Sequence, residues 1–292
     1  MTFVQCINDF LKGLSRIFKL LTGQSKNACS CEMPPPKLPD PLIYSQYYLL
    51  SMGKPVTWDN PDIFVYLGSQ PVNPHDLQPD TAYTVVARVW NNSTDVPVVN
   101  LKVNFSYLSF GMATVSHQIG VTTTDLNVKG LPGCPAFAYI TWTTPAVPGH
   151  YCIQVLLEPP TDKNWLNNLG QRNVHIGQAN SPAFFNFRVG NPDSPRTRAI
   201  RFTTDSYRIP PLLSCDADTA RAKDRWSLPV PVPEGWTVVI TPETFLLAPD
   251  EEQQVHVSIT PAAGFTGVTP VNITAWDSAR PLGGVTLNVE VL

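Results

Sequence analysis

Histidines, cysteines and loop carboxylates are the side chains of this sequence from which chemistry could be built. The five histidines, His75, His117, His150, His175 and His256, are far apart along the chain. None belongs to an HExxH pair of zinc ligands, and no Cys-x-x-Cys exists. His150, His175 and His256 fall on or beside extended segments, His150 and His256 on the polar phase, so they are expected as exposed sheet-face residues. Cys29-Ser30-Cys31 offers two thiolates to a soft metal or a lipid, with no further ligand nearby. Asp216, Asp218 and Asp224, and Asp162 with Asn164, are oxygen donors of the kind calcium takes, although loop carboxylates are ordinarily just solvated.

A GxSxG nucleophile elbow, a GxxxxGK[ST] phosphate loop and a GxGxxG turn are all absent from the sequence. No acid, base and nucleophile converge, so the expectation is no catalytic, cofactor-binding or metal residue, and no enzyme. Asn92, Asn104 and Asn272 open glycosylation sequons, which have meaning only in a eukaryotic secretory protein. Trp58, Trp90, Trp165 and Trp276 lie in loops or off the apolar phase. They are expected as exposed aromatics, for a partner first and for a sugar second.

The elements that must position these residues are β-strands, expected among others over Asp62–Leu67, Ala136–Thr143 and Ala183–Val189. Residues 82–110 alternate: Tyr83, Val85, Ala87 and Val89 share one phase, and after the Asn91–Asp95 turn Val99, Leu101, Val103, Phe105 and Tyr107 share another. Period-two β-branched and aromatic residues mean half-buried strands. The same grammar recurs in Ile153 and Val155, in Val255, Val257 and Ile259, and in Val285, Leu287 and Val289, all expected to be buried. Cys152 falls on the opposite phase from Ile153, so no Cys134–Cys152 bridge across a core is expected. Charged residues are 15% and hydrophobic ones 43%, with 30 prolines, which suits a turn-rich all-β protein. A net charge of −3 gives no basic excess for a nucleic-acid partner.

The N-terminus differs. Residues 2–22 carry an apolar stripe of Phe3, Ile7, Phe10, Leu11, Leu14, Ile17, Phe18 and Leu21, opposite Lys12, Arg16 and Lys19. This predicts an amphipathic helix over 1–23. Leaving its face in water would forfeit on the order of 10 kcal/mol, so a cover is expected. A protein assembly is the first expectation and a membrane surface the second, with self-association as a further alternative. No apolar run reaches a bilayer span, and polar residues interrupt any signal-peptide core, which favours a cytoplasmic or peripheral-membrane location over secretion.

The expected fold class is all-β: two Ig-like β-sandwich domains in tandem, over 62–191 and 194–292. The helix and a Pro-rich tether over 24–61 precede them. Within the tether, Ile43–Ser51 is expected as a short added strand. Residues 62–178 resemble the CARDB family, the cell-adhesion-related Ig-like domain of bacterial proteins. The residues that carry this are the Asn91-Asn92-Ser93-Thr94-Asp95 turn, Pro148-Gly149-His150-Tyr151, and Asp162-Lys163-Asn164 with Asn167-Asn168. Residues 230–291 resemble Ig-like domains appended to bacterial glycosidases, through Pro233-Glu234-Gly235-Trp236 and Leu247-Ala248-Pro249-Asp250-Glu251. The resemblance implies spacers, adhesive units or docking platforms. The functional expectation is a non-catalytic interaction protein docked through its helix, with a secreted carbohydrate-binding or adhesion protein as the alternative.

Overall fold

A computed structural model describes residues 37–109, 111–112, 114–176, 184–192, 194–206 and 230–291. The expected helix, its stripe of Phe3, Ile7, Phe10, Leu11, Leu14, Ile17, Phe18 and Leu21, and the Cys29–Cys31 and Asp216–Asp224 candidates lie outside the described residues.

The strands are β1 (Pro41–Leu42), β2 (Ile63–Leu67), β3 (Gln70–Pro71), β4 (Ala82–Asn91), β5 (Val98–Ser109), β6 (Gly111–Met112), β7 (Ser116–Leu126), β8 (Ala136–Thr143) and β9 (Gly149–Glu158). They continue with β10 (Leu169–Ile176), β11 (Phe184–Gly190), β12 (Arg198–Asp205), β13 (Thr237–Thr241), β14 (Thr244–Leu247), β15 (Glu252–Thr260), β16 (Gly267–Asp277) and β17 (Arg280–Val291). One short helix, α1, spans Gln46–Ser51. The described body is predominantly β, with two pairs of sheets arranged as Ig-like sandwiches.

In the first pair, β2 and β8 flank β4, and β1 and β3 extend that sheet. It faces the sheet β10-β9-β5-β7. Val85, Val89, Leu101, Val103, Phe105, Ile153 and Val155 form the core between them. The second pair stacks β13-β15-β11-β6 on β14-β12-β16-β17 around Val255, Val257, Ile259, Val285, Leu287 and Val289. Most residues that the alternation assigned to a core are buried, because successive side chains of a strand leave opposite faces. Tyr107 is only half-buried, and Val99 is 63% exposed, because an irregularity between Val98 and Leu101 turns Val98 inward in its place.

Two strands cross the expected division. The strand at 184–190, expected to end the first sandwich, pairs with β15 of the second. The two-residue β6, on the connection between β5 and β7, runs parallel to β11 at its other edge. Pairing is non-local information, and alternation within a strand does not carry it.

Residues 37–61 are not a spacer. Ile43 joins the first core, and Tyr44, Leu49, Val56 and Trp58 form a third apolar cluster of their own. Ile43–Ser51 is expected as a strand, but the chain forms a two-residue strand just before it, β1, and then α1 over Gln46–Ser51. Ser45 caps α1 by accepting from the Tyr48 N–H at 3.4 Å. This segment covers part of the edge of β10, where the Asn173 N–H donates to the Trp58 carbonyl at 2.9 Å; the β3–β4 connection covers the rest, the His175 N–H donating to the Pro74 carbonyl at 2.8 Å.

The outward face of β9 and β10 is therefore covered in part: His150, Cys152, Gln171 and Asn173 are buried, while Leu156 and Glu158 stay exposed. The Tyr47 hydroxyl donates to the Leu282 carbonyl at 2.9 Å, and the Trp58 N–H donates to the Thr286 hydroxyl at 2.7 Å. Thr286 donates in turn to Asn272 Oδ1 at 2.6 Å, and Asn272 Nδ2 donates to the Val56 carbonyl at 2.9 Å. Gln46 donates to the Gln171 carbonyl at 2.6 Å and accepts from the Gln171 N–H at 3.1 Å. The Trp58 indole lies on Gly284, where a Cβ would overlap it. Residues 44–60 thus rivet the two sandwiches together through a satisfied polar network.

Candidate functional site

Strands β2, β4 and β8 turn one phase to the first core and the other outward. Their registers set Phe64, Val86 and Tyr139 in one row and Tyr66, Thr84 and Thr141 in the next, with Phe137 opposite Arg88. The outward side chains make an open groove of about 470 Å³ lined by Phe64, Tyr66, Ser69, Thr84, Val86, Phe137 and Tyr139. Tyr139 and Phe137 are 58% and 42% exposed, with ring centroids 6.5 Å apart. Such large aromatics left in water on a sheet face mark a surface built to meet something. The groove is lined by aromatic faces and hydroxyls, without Asp, Glu, Lys, Arg or His.

One end of this face is locked. The Arg88 guanidinium sits 5.3 Å from the Phe64 ring centroid and 5.2 Å from that of Trp90. Arg88 Nε and Trp90 Nε1 each donate to the buried Asp62 carboxylate at 3.0 Å. The tyrosine and phenylalanine rings beyond are thus held on a rigid β scaffold.

The expected aromatic contacts are redistributed. Trp58 and Trp90 are buried, the first in the joint and the second behind Arg88, so neither is a surface contact. Trp165 is exposed on the 3-10 turn Trp165–Asn167, and Trp276 stacks under Arg201 at 5.2 Å. The aromatics that do form a platform, Phe64, Tyr66, Phe137 and Tyr139, sit on the outward phase of segments read as strands. That phase was their available signal. The pairing that gathers them on both sides of β4 was not legible.

The histidines are also redistributed. His117 and His256 are exposed, as expected. His150 is buried, with its ring 4.8 Å from Phe185 and 6.5 Å from His175, and His75 Nε2 lies 3.9 Å from Asp59 Oδ1. Burial first, then the neighbouring His75 and His175, lowers the His150 imidazole to about 3. Burial also lowers His75. Cys152, beside them, is buried and its thiol is pushed up to about 12. Cys134 and Cys152 are not joined by a disulfide. His150 and Cys152 depart from the expectation because the outward phase of β9 is covered at its start, with Phe185 of β11 packed on the His150 ring.

Among the described residues no three His, Cys, Asp or Glu side chains converge as metal ligands. No helix among them is long and apolar enough to cross a membrane.

No family model matches the chain, and no curated protein matches it. Similar solved structures include the Yersinia pseudotuberculosis adhesin InvE, at 13% identity and a TM-score of 0.20, over 74% of this chain and 56% of that one. A Salmonella alpha-2-macroglobulin mutant is similar at 11% identity and a TM-score of 0.26, over 80% of this chain and 16% of that one. The chain thus spans little more than half of the first and a small part of the second. The CARDB resemblance has no family match behind it. The Ig-like sandwich architecture stands on the strand pairing itself.

Proposed function

We propose that this protein is a non-catalytic carbohydrate-binding or adhesion module that takes a neutral glycan chain on the aromatic face of β2, β4 and β8. The observation that carries the reading is the groove itself: four aromatic rings and a hydroxyl rim on a rigid sheet, without a charged side chain in its lining. Sugar rings present flat C–H faces that stack on aromatic rings, and hydroxyls that pair with a Ser and Thr rim. The groove is open, so a chain can pass through it. Its one aliphatic side chain, Val86, is buried in the floor, so what the groove presents is aromatic faces and hydroxyls.

Tyr139→Ala and Phe137→Ala test this, because both side chains point away from the core and neither supports the fold. Electrophoretic mobility is measured in gels containing β-glucan, xylan, mannan or starch. At least one polysaccharide is expected to retard the parent, and each variant to lose tenfold or more of that affinity, about 1.4 kcal/mol, without a change in melting temperature. Retardation that is equal in parent and variants, or a parent retarded by none while a protein is captured through the same residues, overturns the glycan reading.

A further inference from the structure

His150 on β9, His175 on β10 and His75 in the β3–β4 connection gather where the two sandwiches meet. The His150 ring lies 6.5 Å from that of His175. Phe185 of β11, a strand of the second sandwich, packs edge-on against it at 4.8 Å. Nε2 of His150 and Nε2 of His75 are both buried without a hydrogen-bond partner among the described residues. Nitrogens so placed suit neutral imidazoles, because an imidazolium needs acceptors for both of its N–H groups.

Those acceptors are missing. The carboxylate that reaches the cluster, Asp59, has its Oδ1 on Arg172 Nη2 at 2.7 Å and 3.9 Å from His75 Nε2. Asp76 faces His75 from its own loop. Cys152, Arg172 and His175 are the remaining titratable or charged groups beside the cluster, and β11 brings the uncharged Phe185. A proton on His150 therefore needs water, and water enters when the second sandwich withdraws Phe185. The bonds that withdrawal breaks are polar ones: Tyr47 to Leu282, Trp58 to Thr286, Asn272 to Val56, and Asn173 Nδ2 to the Gly284 carbonyl at 3.3 Å. Each sandwich keeps its own apolar core, and His117 and His256 are already in water. Mild acid thus acts on the joint and spares the two cores.

We infer that the joint is an acid-released latch: protonation of His150 and His75 parts the two sandwiches while each stays folded. Strand β6 stays paired with β11 and tethers them. In the closed joint the His150 imidazole stands at about 3, and in water it returns to about 6.5. Lowering the pH from 7.5 to 5 therefore multiplies the ratio of open to closed chains by about 30 through His150 alone. His75, lowered by burial as well, adds in the same direction.

Hydrogen exchange on the full chain reads this ratio as protection factors, which divide out the intrinsic pH dependence of exchange. The Trp58 N–H, bonded across the joint to Thr286, reports opening. The amides of Val85 and Ile273, on strands paired along both edges, report the two sandwiches. At both pH 7.5 and pH 5 the Trp58 amide should be at least about tenfold less protected than those two. Its protection should fall about 30-fold or more between the two pH values. In His150→Leu, or in His150→Gln if the first fails to fold, that fall should be at least about tenfold smaller. The inference is overturned if Trp58 shares the protection of Val85 and Ile273 throughout, so that the joint opens only by global unfolding. It is equally overturned if Trp58 protection does not change with pH, or falls as far in the folded His150 variant as in the parent.

Discussion

Trp58→Ala is expected to lower the unfolding free energy by about 3–5 kcal/mol, the usual cost of emptying a fully buried aromatic site. Trp58 is 0% exposed, and its indole rests on Gly284, where the missing side chain makes the room. The site cannot collapse easily, since the Trp58 backbone is pinned on both sides by Thr286 and Asn173. The cavity would also admit water to the Thr286–Asn272 network. Urea unfolding followed by fluorescence and by circular dichroism measures the loss. The parent should give one coincident transition by both probes, and the variant two, as the sandwiches uncouple. Gly284→Ala should act in the same direction by overpacking the same contact. A Trp58→Ala chain with the parent's midpoint and a single transition would show that the joint contributes little.

Acid should loosen the same joint, through His150. Its folded imidazole lies at about 3, well below the ordinary 6.5 of the unfolded chain. A group with a lowered folded value keeps its full stability contribution above the unfolded value and loses it as pH falls beneath that. The window therefore opens near 6.5 and closes near 3. By pH 5 this single group should cost on the order of 2 kcal/mol. His75 is lowered as well and adds to the loss. The groups facing the cluster are Asp59 and Asp76 from the loops, Arg172, Cys152 and His175 from β9 and β10, and the uncharged Phe185 from β11. Asp162 and Asp205, raised by burial, work the opposite way, gaining stability as pH falls through their raised folded values. Urea midpoints between pH 7.5 and 5 should fall steeply in the parent and much less in His150→Leu. Parallel slopes in the two chains would remove His150 as the cause.

Alternation in single strands was legible because one face of each meets a core. Val85, Phe105, Ile153, Val257 and Leu287 were placed by parity alone, and the structure buries them all. Parity misled at Cys152 and His150, where the outward phase is also buried, under α1 and the joint. Only tertiary packing decides that. Prolines misled at 37–61. Pro39 and Pro41 sit at the entry of that segment, and the apolar Tyr44, Leu49, Val56 and Trp58 that follow outweigh them. The groove was half legible: Phe64, Tyr66, Phe137 and Tyr139 stand on outward phases of expected strands, but no local pattern says that β2 and β8 share β4.

The central claim, that the aromatic face of the first sandwich takes a neutral glycan, is tested most directly by nuclear magnetic resonance. The labelled full chain is titrated with neutral hexasaccharides of the polysaccharides named above. The account predicts that one of them shifts the resonances of Phe64, Tyr66, Val86, Phe137 and Tyr139, leaves the joint around Trp58 unmoved, and loses this effect in Tyr139→Ala. Shifts confined to other surfaces, or none with any hexasaccharide, would contradict it.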